Sequence, residues 1–326
     1  MTIDAQILAA LRKGNSVSGA ELASALSISR AAVWARIEEL RSLGYEIEAS
    51  PHEGYTLRKV PDVLHADDLL SRLHHVTVIG RDFRVFQETT STNDIAEKLA
   101  RDGVREGVVI FAESQTKGRG RLGRKWVSPP GKGLWFSILL RPAIPPQSVT
   151  WMTIAAATAL VRAFRTIPGI KPDIKWPNDI LINGKKVAGI LTEMSAELDK
   201  VRHLILGIGI DVNLEKSDLP AELQQIATSL RIESGHKINR AELAALLVRN
   251  LDHDYERVTS GRFAELAEEW EEHCTTVGQE VEIIMGDRTI QGRAEALDAD
   301  GALLVRTEHG RLERIIGGDV RTRKTT

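Results

Sequence analysis

Residues 114–172 contain no Asp or Glu, although the chain of 326 residues holds 45 acids, and they carry ten Lys or Arg. The stretch begins with Lys117-Gly118-Arg119-Gly120-Arg121-Leu122-Gly123-Arg124-Lys125-Trp126. Five cations, three glycines and one Trp in ten positions cannot be buried without counter-charge. The segment reads as a mobile loop that awaits an anion, most simply a polyphosphate. Glycines let the backbone approach a ligand, arginines offer forked donors to phosphate oxygens, and Trp126 offers a flat face for a purine. Ordering such a loop has an entropic cost that the ligand must offset.

Two phosphate-binding templates come close and fail. Gly118, Gly120 and Gly123 match G-x-G-x-x-G after a strand, but a dinucleotide site also needs a helix at the third glycine and an acid about 20 residues later. Trp126, Pro129, Pro130 and Gly131 follow instead, and the next acid is Asp173. A P-loop needs Lys then Ser/Thr after the last glycine; here stand Arg124 and Lys125. A nucleic-acid-binding arm stays open, although a strand pattern resumes at once over Leu134–Leu140.

The elements that must position this loop fall into three segments. Residues 1–62 read as a helical module with a hairpin. Asp4–Arg12 carries Ile7, Leu8 and Leu11 on one face. Ser18 caps Gly19–Leu26, with Glu21 completing a capping box. Ser29 caps Arg30–Leu43, whose stripe is Val33, Ile37 and Leu40, with Trp34 at its edge and Gly44 as its stop. Tyr45–Ala49 and Tyr55–Leu57 alternate like strands around Ser50-Pro51-His52-Glu53-Gly54. This is the winged helix-turn-helix plan, with Gly19–Glu38 as the helix pair and the second helix placed for the major groove. Ser29, Arg30 and Arg36 would face DNA. Residues 1–60 hold seven Lys/Arg and seven Asp/Glu, so charge does not separate DNA binding from a protein-binding module.

Residues 63–80 read as a linker. Residues 81–273 mix strands, at 84–87, 108–113, 134–140, 174–175, 180–182, 187–194 and 201–210, with helices at 93–101, 149–165, 240–259 and 262–273. Tight turns between consecutive strands predict a mixed or antiparallel sheet with packed helices, and Asn183-Gly184 is a two-residue hairpin signal. Residues 274–326 switch to short strands at 280–285, 289–296, 303–306 and 311–316, separated by turn dipeptides, which predicts a small β-barrel. The fold class is α+β.

The totals set bounds. A net charge of -2 requires any phosphate site to come from local patterning. A single cysteine, Cys274, excludes a disulfide framework or a cysteine-rich zinc site. Absence of a secretion signal and of a long apolar run leads to the expectation of a cytoplasmic protein with no membrane association.

The motifs together resemble biotin protein ligases, specifically the bifunctional ligases that are also biotin-operon repressors. Gly118–Trp126 resembles the family's G-R-G-R-x-G-R-x-W loop. Lys175-Trp176-Pro177-Asn178-Asp179 is similar to its K-W-P-N-D segment, and Lys186–Leu191 to its K-[LV]-A-G-I-L strand. Ser91-Thr92-Asn93 resembles its S-T-N turn, and Gly207–Ile210 its G-x-G-[IL] strand. Order and spacing hold from Ser91 to Asn213, and the outer segments match too.

The resemblance implies a class II synthetase-like central domain, an SH3-like C-terminal barrel and two chemical steps. Biotin and ATP, with Mg²⁺, give biotinyl-5′-AMP and pyrophosphate; the acyl group then passes to a lysine of a biotin carboxyl carrier domain, as in acetyl-CoA carboxylase. It also implies residue roles. Ser91, Thr92, Asn93 and Gln115 would contact biotin, with Gly118, Arg119, Gly120, Arg121, Lys186, Gly189, Gly207 and Gly209 around it. Arg119, Arg121, Arg124, Trp126, Asn178, Lys186, Asp211 and Asn213 would meet ATP, with Trp126 as the adenine platform. Arg121 and Lys186 would be catalytic, and Asp179 the candidate for Mg²⁺. A homodimer formed on the adenylate would read a palindromic operator. Two departures stand out: Asp211 where the family usually has Asn, and Glu53 where the wing is commonly basic. The rival readings are a lipoate or octanoate ligase and a ligand-sensing regulator without catalysis.

Overall fold

The computed structural model describes residues 1–322 apart from Asn15, His52 and His74, so parts of the wing turn, of the 63–80 linker and of the 274–326 segment lie outside the described residues. The first unit is α1 (Ile3–Leu11), α2 (Gly19–Leu26), α3 (Arg30–Ser42) and the antiparallel pair β1 (Glu46–Ser50) and β2 (Gly54–Lys59). Its caps are those the sequence predicts: Ser18 and Glu21 form a reciprocal capping box, and Ser29 accepts from Ala32 N–H. Ile7, Leu8, Val33, Ile37, Leu40 and Tyr45 make a separate small core.

Residues 63–80 differ from a loose linker. They carry α4 (Ala66–Arg72), and Leu64, Leu69, Leu73 and Ile79 belong to the main hydrophobic core. The polar Asp67-Asp68 start hid this, because Asp68 is buried but paired with Arg12 and Arg72.

The central elements are β3 (Asp82–Thr89), α5 (Thr92–Arg101), β4 (Val108–Gln115), β5 (Gly133–Leu140), α6 (Thr150–Phe164), β6 (Pro172–Lys175), β7 (Asp179–Ile182), β8 (Lys185–Ala196), β9 (Val201–Asp211), α7 (Leu230–Ser234), α8 (Arg240–Thr259) and α9 (Phe263–Glu272). The sheet order is β3-β4-β5-β9-β8-β7-β6, with β3/β4 parallel and the other pairs antiparallel. Asn183 and Gly184 turn β7 into β8 with φ of 51° and 76°, the left-handed pair that their types suit.

The two-residue period of the strands separates two faces. Leu204, Leu206, Ile208 and Ile210 of β9 enter the main core with α4, α6, α8 and α9. Ile205 of β9 and Leu139 of β5 pack instead with Ala96, Leu99 and Ala100 of α5. Gly207, Gly209 and Asp211 continue that second face along β9 beyond Ile205, and there the face is open for a site.

The last unit is a five-stranded antiparallel sheet of β10 (Glu280–Met285), β11 (Arg288–Leu297), β12 (Leu303–Thr307), β13 (Leu312–Ile315) and β14 (Asp319–Thr322), in the order β13-β12-β11-β10-β14. The sequence showed four of these. β14 is a short edge strand with one buried apolar residue, Val320, and so gives almost no alternation to read. The unit docks on α6, where Trp151 Nε1 donates to Ala299 O at 3.0 Å.

Candidate active site

The glycine loop holds a short 3-10 turn at Arg121–Gly123 and contacts to the rest of the chain. Its counter-charges come from distant parts of the chain. Arg119 donates to Asp94 at 2.6 Å and lies 3.4 Å from Glu193; Arg121 donates to Asn178 at 3.1 Å; Arg124 pairs with Asp319 of β14. Within the loop, Trp126 N–H donates to Gly118 O at 2.9 Å and Gly120 N–H to Arg124 O at 2.7 Å. Burial pulls the Arg119 guanidinium down, but Asp94 and Glu193 outweigh it and leave its pKa raised. Arg121 goes the other way: burial dominates, and Asp179 and Asp319 only partly offset it.

The loop sets Trp126 on a floor of two glycines. Gly189 and Gly209 are partners across β8 and β9. A Cβ at Gly209 would sit 2.6 Å from Trp126 Cε2, and one at Gly189 would sit 2.9 Å from Cζ3. Trp135 meets Trp126 edge-on with ring centroids 6.4 Å apart. Gly209→Ala therefore lifts Trp126 or strains the sheet, a cost of about 1–3 kcal/mol. Nucleotide affinity, measured by titration, should fall at least tenfold with the far-ultraviolet dichroism unchanged; unchanged affinity would show that the floor does not matter.

Lys186 reaches the same place because of a bulge. β7 and β8 shift register between Ile180 and Leu181, so Val187 and Ala188 both enter the core. The extra residue turns Lys186 onto the face of Gly189, the way bulges re-aim side chains beside active sites. Lys186 Nζ lies 2.6 Å from Asp179 Oδ1, a contact set by charge rather than hydrogen-bond geometry, and 5.2 Å from the centre of the Trp126 ring. Asn178 is held by its own amide, which donates to Ile190 O at 2.7 Å.

At the other end of the same face lies a box of small polar groups. Thr92 N–H donates to Gln115 Oε1 at 2.9 Å, and Gln115 Nε2 to Ser128 Oγ at 3.0 Å. Ser137 Oγ lies 2.7 Å from Thr92 Oγ1 and against Asn93 Oδ1, its one proton serving one of them, and the Asn93 amide reaches Glu193 at 2.6 Å. Ser91 occupies the N-cap position of α5 yet makes no side-chain cap bond, so capping does not account for it. A Cβ at Gly207 would collide with the Asn93 amide, and one at Gly118 would lie 2.9 Å from Ser128 Oγ.

Two residues expected at the nucleotide are buried. Asn213 is buried and both ends of its amide are taken by the backbone of Ile238, at 2.9 Å each, so it is a clasp rather than a ligand contact. Asp211 is buried at the end of the same face of β9. Burial pushes its carboxyl well above the ordinary value, and Lys186 only partly opposes this. A carboxyl with a raised native pKa binds its proton more tightly folded than unfolded. Stability therefore falls as pH rises from about the unfolded value of 3.9 toward the native one. Asp211→Asn should raise the melting temperature at neutral pH, and the gain should vanish in acid; a gain independent of pH would contradict the burial argument.

Sequence reading missed Ser128, Ser137, Glu193, Asp94 and Asp319. Ser137 left a signal, the single hydroxyl inside the apolar run Leu134–Leu140. The acids left none. In the helix-turn-helix unit Arg30 is exposed, whereas Arg36 lies 2.9 Å from Glu39 and 3.8 Å from Asp4, and Ser29 is used as a cap. In the wing, Arg58 pairs with Glu48 and Lys59 with Glu46.

Comparison with known proteins decides the family. The Biotin/lipoate A/B protein ligase family model matches residues 85–211, an HTH domain residues 4–56, and the Biotin protein ligase C terminal domain residues 276–322. The chain is 41% identical over 304 residues to the bifunctional ligase/repressor BirA of Bacillus spizizenii, covering 93% of each. The chain belongs to the biotin protein ligase family. It is also 30% identical over 323 residues to the bifunctional ligase/repressor BirA of Escherichia coli strain K12, covering 99% of this chain and 98% of that protein. Among solved structures, the Aquifex aeolicus biotin protein ligase in complex with biotin and ATP superposes with a TM-score of 0.64 at 31% identity, over 75% of this chain and all of that one. The ligase family match contains the polar box, the glycine loop and the Gly189–Gly209 floor, while Asp319, which holds Arg124, falls in the C-terminal domain match. No helix among the described residues is long and apolar enough to cross a membrane.

Proposed function

We propose that the chain is a biotin–carrier ligase and biotin-responsive repressor, divided as 1–62 for DNA, 63–80 as connector, 81–273 for catalysis and 274–326 as the C-terminal domain. It activates biotin with ATP to biotinyl-5′-AMP and passes the acyl group to a lysine of a biotin carboxyl carrier domain. One observation carries the ligase reading: Gly207 and Gly209 are successive on one face of β9 and join the polar box to Trp126 and Lys186 across about 7 Å at strand rise. That span suits an acyl chain with a ring at one end and a carboxylate at the other. Ser91, Thr92, Asn93 and Gln115 suit the donors and acceptor of a cyclic urea. Gly118, Arg119 and Gly120 would lie over it. A lipoate dithiolane or an octanoyl tail offers this box no hydrogen-bond donor or acceptor, so a site built for a polar ring disfavours it.

The first step joins two anions. A biotin carboxylate oxygen attacks the α-phosphorus, the bond to the bridging oxygen breaks, and pyrophosphate leaves with the electron pair. Arg121 and Lys186 mask the repulsion, and fixed geometry supplies much of the remaining acceleration. Arg119, Arg124 and Asn178 support the phosphates, and Trp126 holds the adenine. Bound Mg²⁺ supplies further charge neutralisation at the phosphates. Among the described residues no group of three or more His, Cys, Asp or Glu gathers to hold a metal. Asp179 nevertheless fits, since Mg²⁺ is held by one or two carboxylates together with substrate phosphates. In the second step the carrier lysine displaces AMP.

Gly19–Glu38 serves as the DNA-reading pair. With Arg36 held by acids and the wing cations neutralised, Arg30 carries the major-groove contact. The adenylate, by fastening Arg119–Arg121, would favour a homodimer that reads a palindromic operator. Incubation with biotin, ATP and unmodified carrier domain tests the ligase: biotin on the carrier lysine is expected, and none refutes it. Operator affinity should rise when biotin and ATP are present; an unchanged affinity refutes the coupling.

A further inference from the structure

A second cavity lies away from the ligase face, between the end of α1 of the DNA-binding unit and α4, the 166–168 turn after α6, and α8 with its approach. It measures about 760 Å³, within the range of a site for a small organic ligand. Its walls are cationic. Arg12 and Arg72 share the one buried carboxylate of Asp68, Arg72 reaches Glu242 at 3.5 Å, and Lys237 pairs with Asp62 at 2.6 Å. Lys13 and Arg249 also line the space and, among the described residues, neither has a carboxylate partner. Arg249 donates only to Arg72 O, at 3.1 Å. The Arg72 side chain is 9% exposed, and its Nη2 is buried with no acceptor. Burial and the neighbouring Arg72 lower the Arg12 pKa to about 10, as expected for guanidiniums crowded together. The floor between these charges is apolar, formed by Ile167, Pro168 and Leu246.

We propose that this cleft binds a phosphorylated small molecule of nucleotide size, its phosphates on Lys13, Arg72 and Arg249 and its organic body on the Ile167–Leu246 floor. A surplus of cations with an unpaired buried donor calls for an anion. The apolar floor calls for more than bare phosphate. Because Lys13 follows α1 in the DNA-binding unit and Arg249 belongs to α8, the occupant bridges the DNA-binding unit and the ligase domain. It would hold the recognition helix at a fixed attitude without touching the biotin site.

Hydrogen–deuterium exchange of the full chain, with and without ADP, tests this. ADP should slow exchange in peptides covering residues 3–13 and 236–250 by about threefold or more, the sign of reduced local opening. The Lys13→Gln/Arg249→Gln variant leaves every pair to Asp68 intact and should melt like the wild type, yet lose that protection while keeping any protection around Trp126. Inorganic pyrophosphate should protect more weakly than ADP. No protection of the two peptides, equal protection in the variant, or pyrophosphate matching ADP would overturn the proposal. Each readout is independent of biotin transfer, so the ligase reading can stand or fall separately.

Discussion

Replacing Lys186 with Ala should slow biotin activation about a thousandfold, the upper range for removing one preorganised charge from a developing anion. Lys186 is turned out of the core by the bulge at Val187, lies 2.6 Å from Asp179, and faces the ring that would hold the adenine. Its ammonium lies beside Gly189 and the Trp126 ring, on the face proposed for the carboxylate and the α-phosphate. Removing it also leaves Asp179 without its partner, adding repulsion where an anion must bind. The backbone of residue 186 stays pinned by Ile226 and Thr228, so the strand should hold its shape. Single-turnover formation of the adenylate measures this. A loss below about tenfold would show that Lys186 is an ordinary turn residue and that Arg121 alone masks the charge.

Arg240→Ala should lower folding stability by about 3–5 kcal/mol, the range for breaking a buried ion pair from one side. The Arg240 side chain is 1% exposed, donates to Glu113 at 2.6 Å and lies 3.0 Å from Asp62. It also donates to Gly133 O at 3.2 Å and Asp62 O at 2.8 Å. Its loss leaves Glu113 buried without a counter-charge, while Glu113 alone still accepts from Leu64 N–H. Two structural consequences follow from the address of each partner. Asp62 lies where the wing unit meets the central domain, and Glu113 is two residues before Gln115 of the polar box. Denaturant unfolding should therefore show a lowered midpoint, partly recovered when Glu113→Gln is added. A loss under about 1 kcal/mol would mean that water reaches Glu113 and that the pair is weaker than its burial implies.

Much of the fold was readable because local rules governed it. Ser18 with Glu21, Ser29, Asn183-Gly184 and the apolar run within Val201–Ile210 each report on residues within a few positions. The glycine loop was readable as a cationic element for the same reason. What escaped depended on residues far apart in sequence. Asp94, Glu193 and Asp319 hold the loop, but each lies on a different element and none carries a local mark of that role. The buried Asp68 carries no local mark of its role, because one of its arginine partners, Arg12, lies just past α1 and the other, Arg72, ends α4. Asn213 looked like a ligand residue by its place after the glycine strand. Only the approach of Ile238 reveals that its amide is already satisfied. Asp211 reads as an anion in sequence, and only burial beside Gly133 turns it toward the neutral form.

Biotin-dependent exchange of labelled pyrophosphate into ATP tests the central claim most directly, because it follows adenylate formation without a carrier or DNA. Exchange should require biotin, should not be supported by lipoate or octanoate, and should collapse in Lys186→Ala and Arg121→Ala. Exchange that is absent with biotin, or that proceeds at full rate in either variant, would contradict the assignment of this face to charge-masked acyl activation.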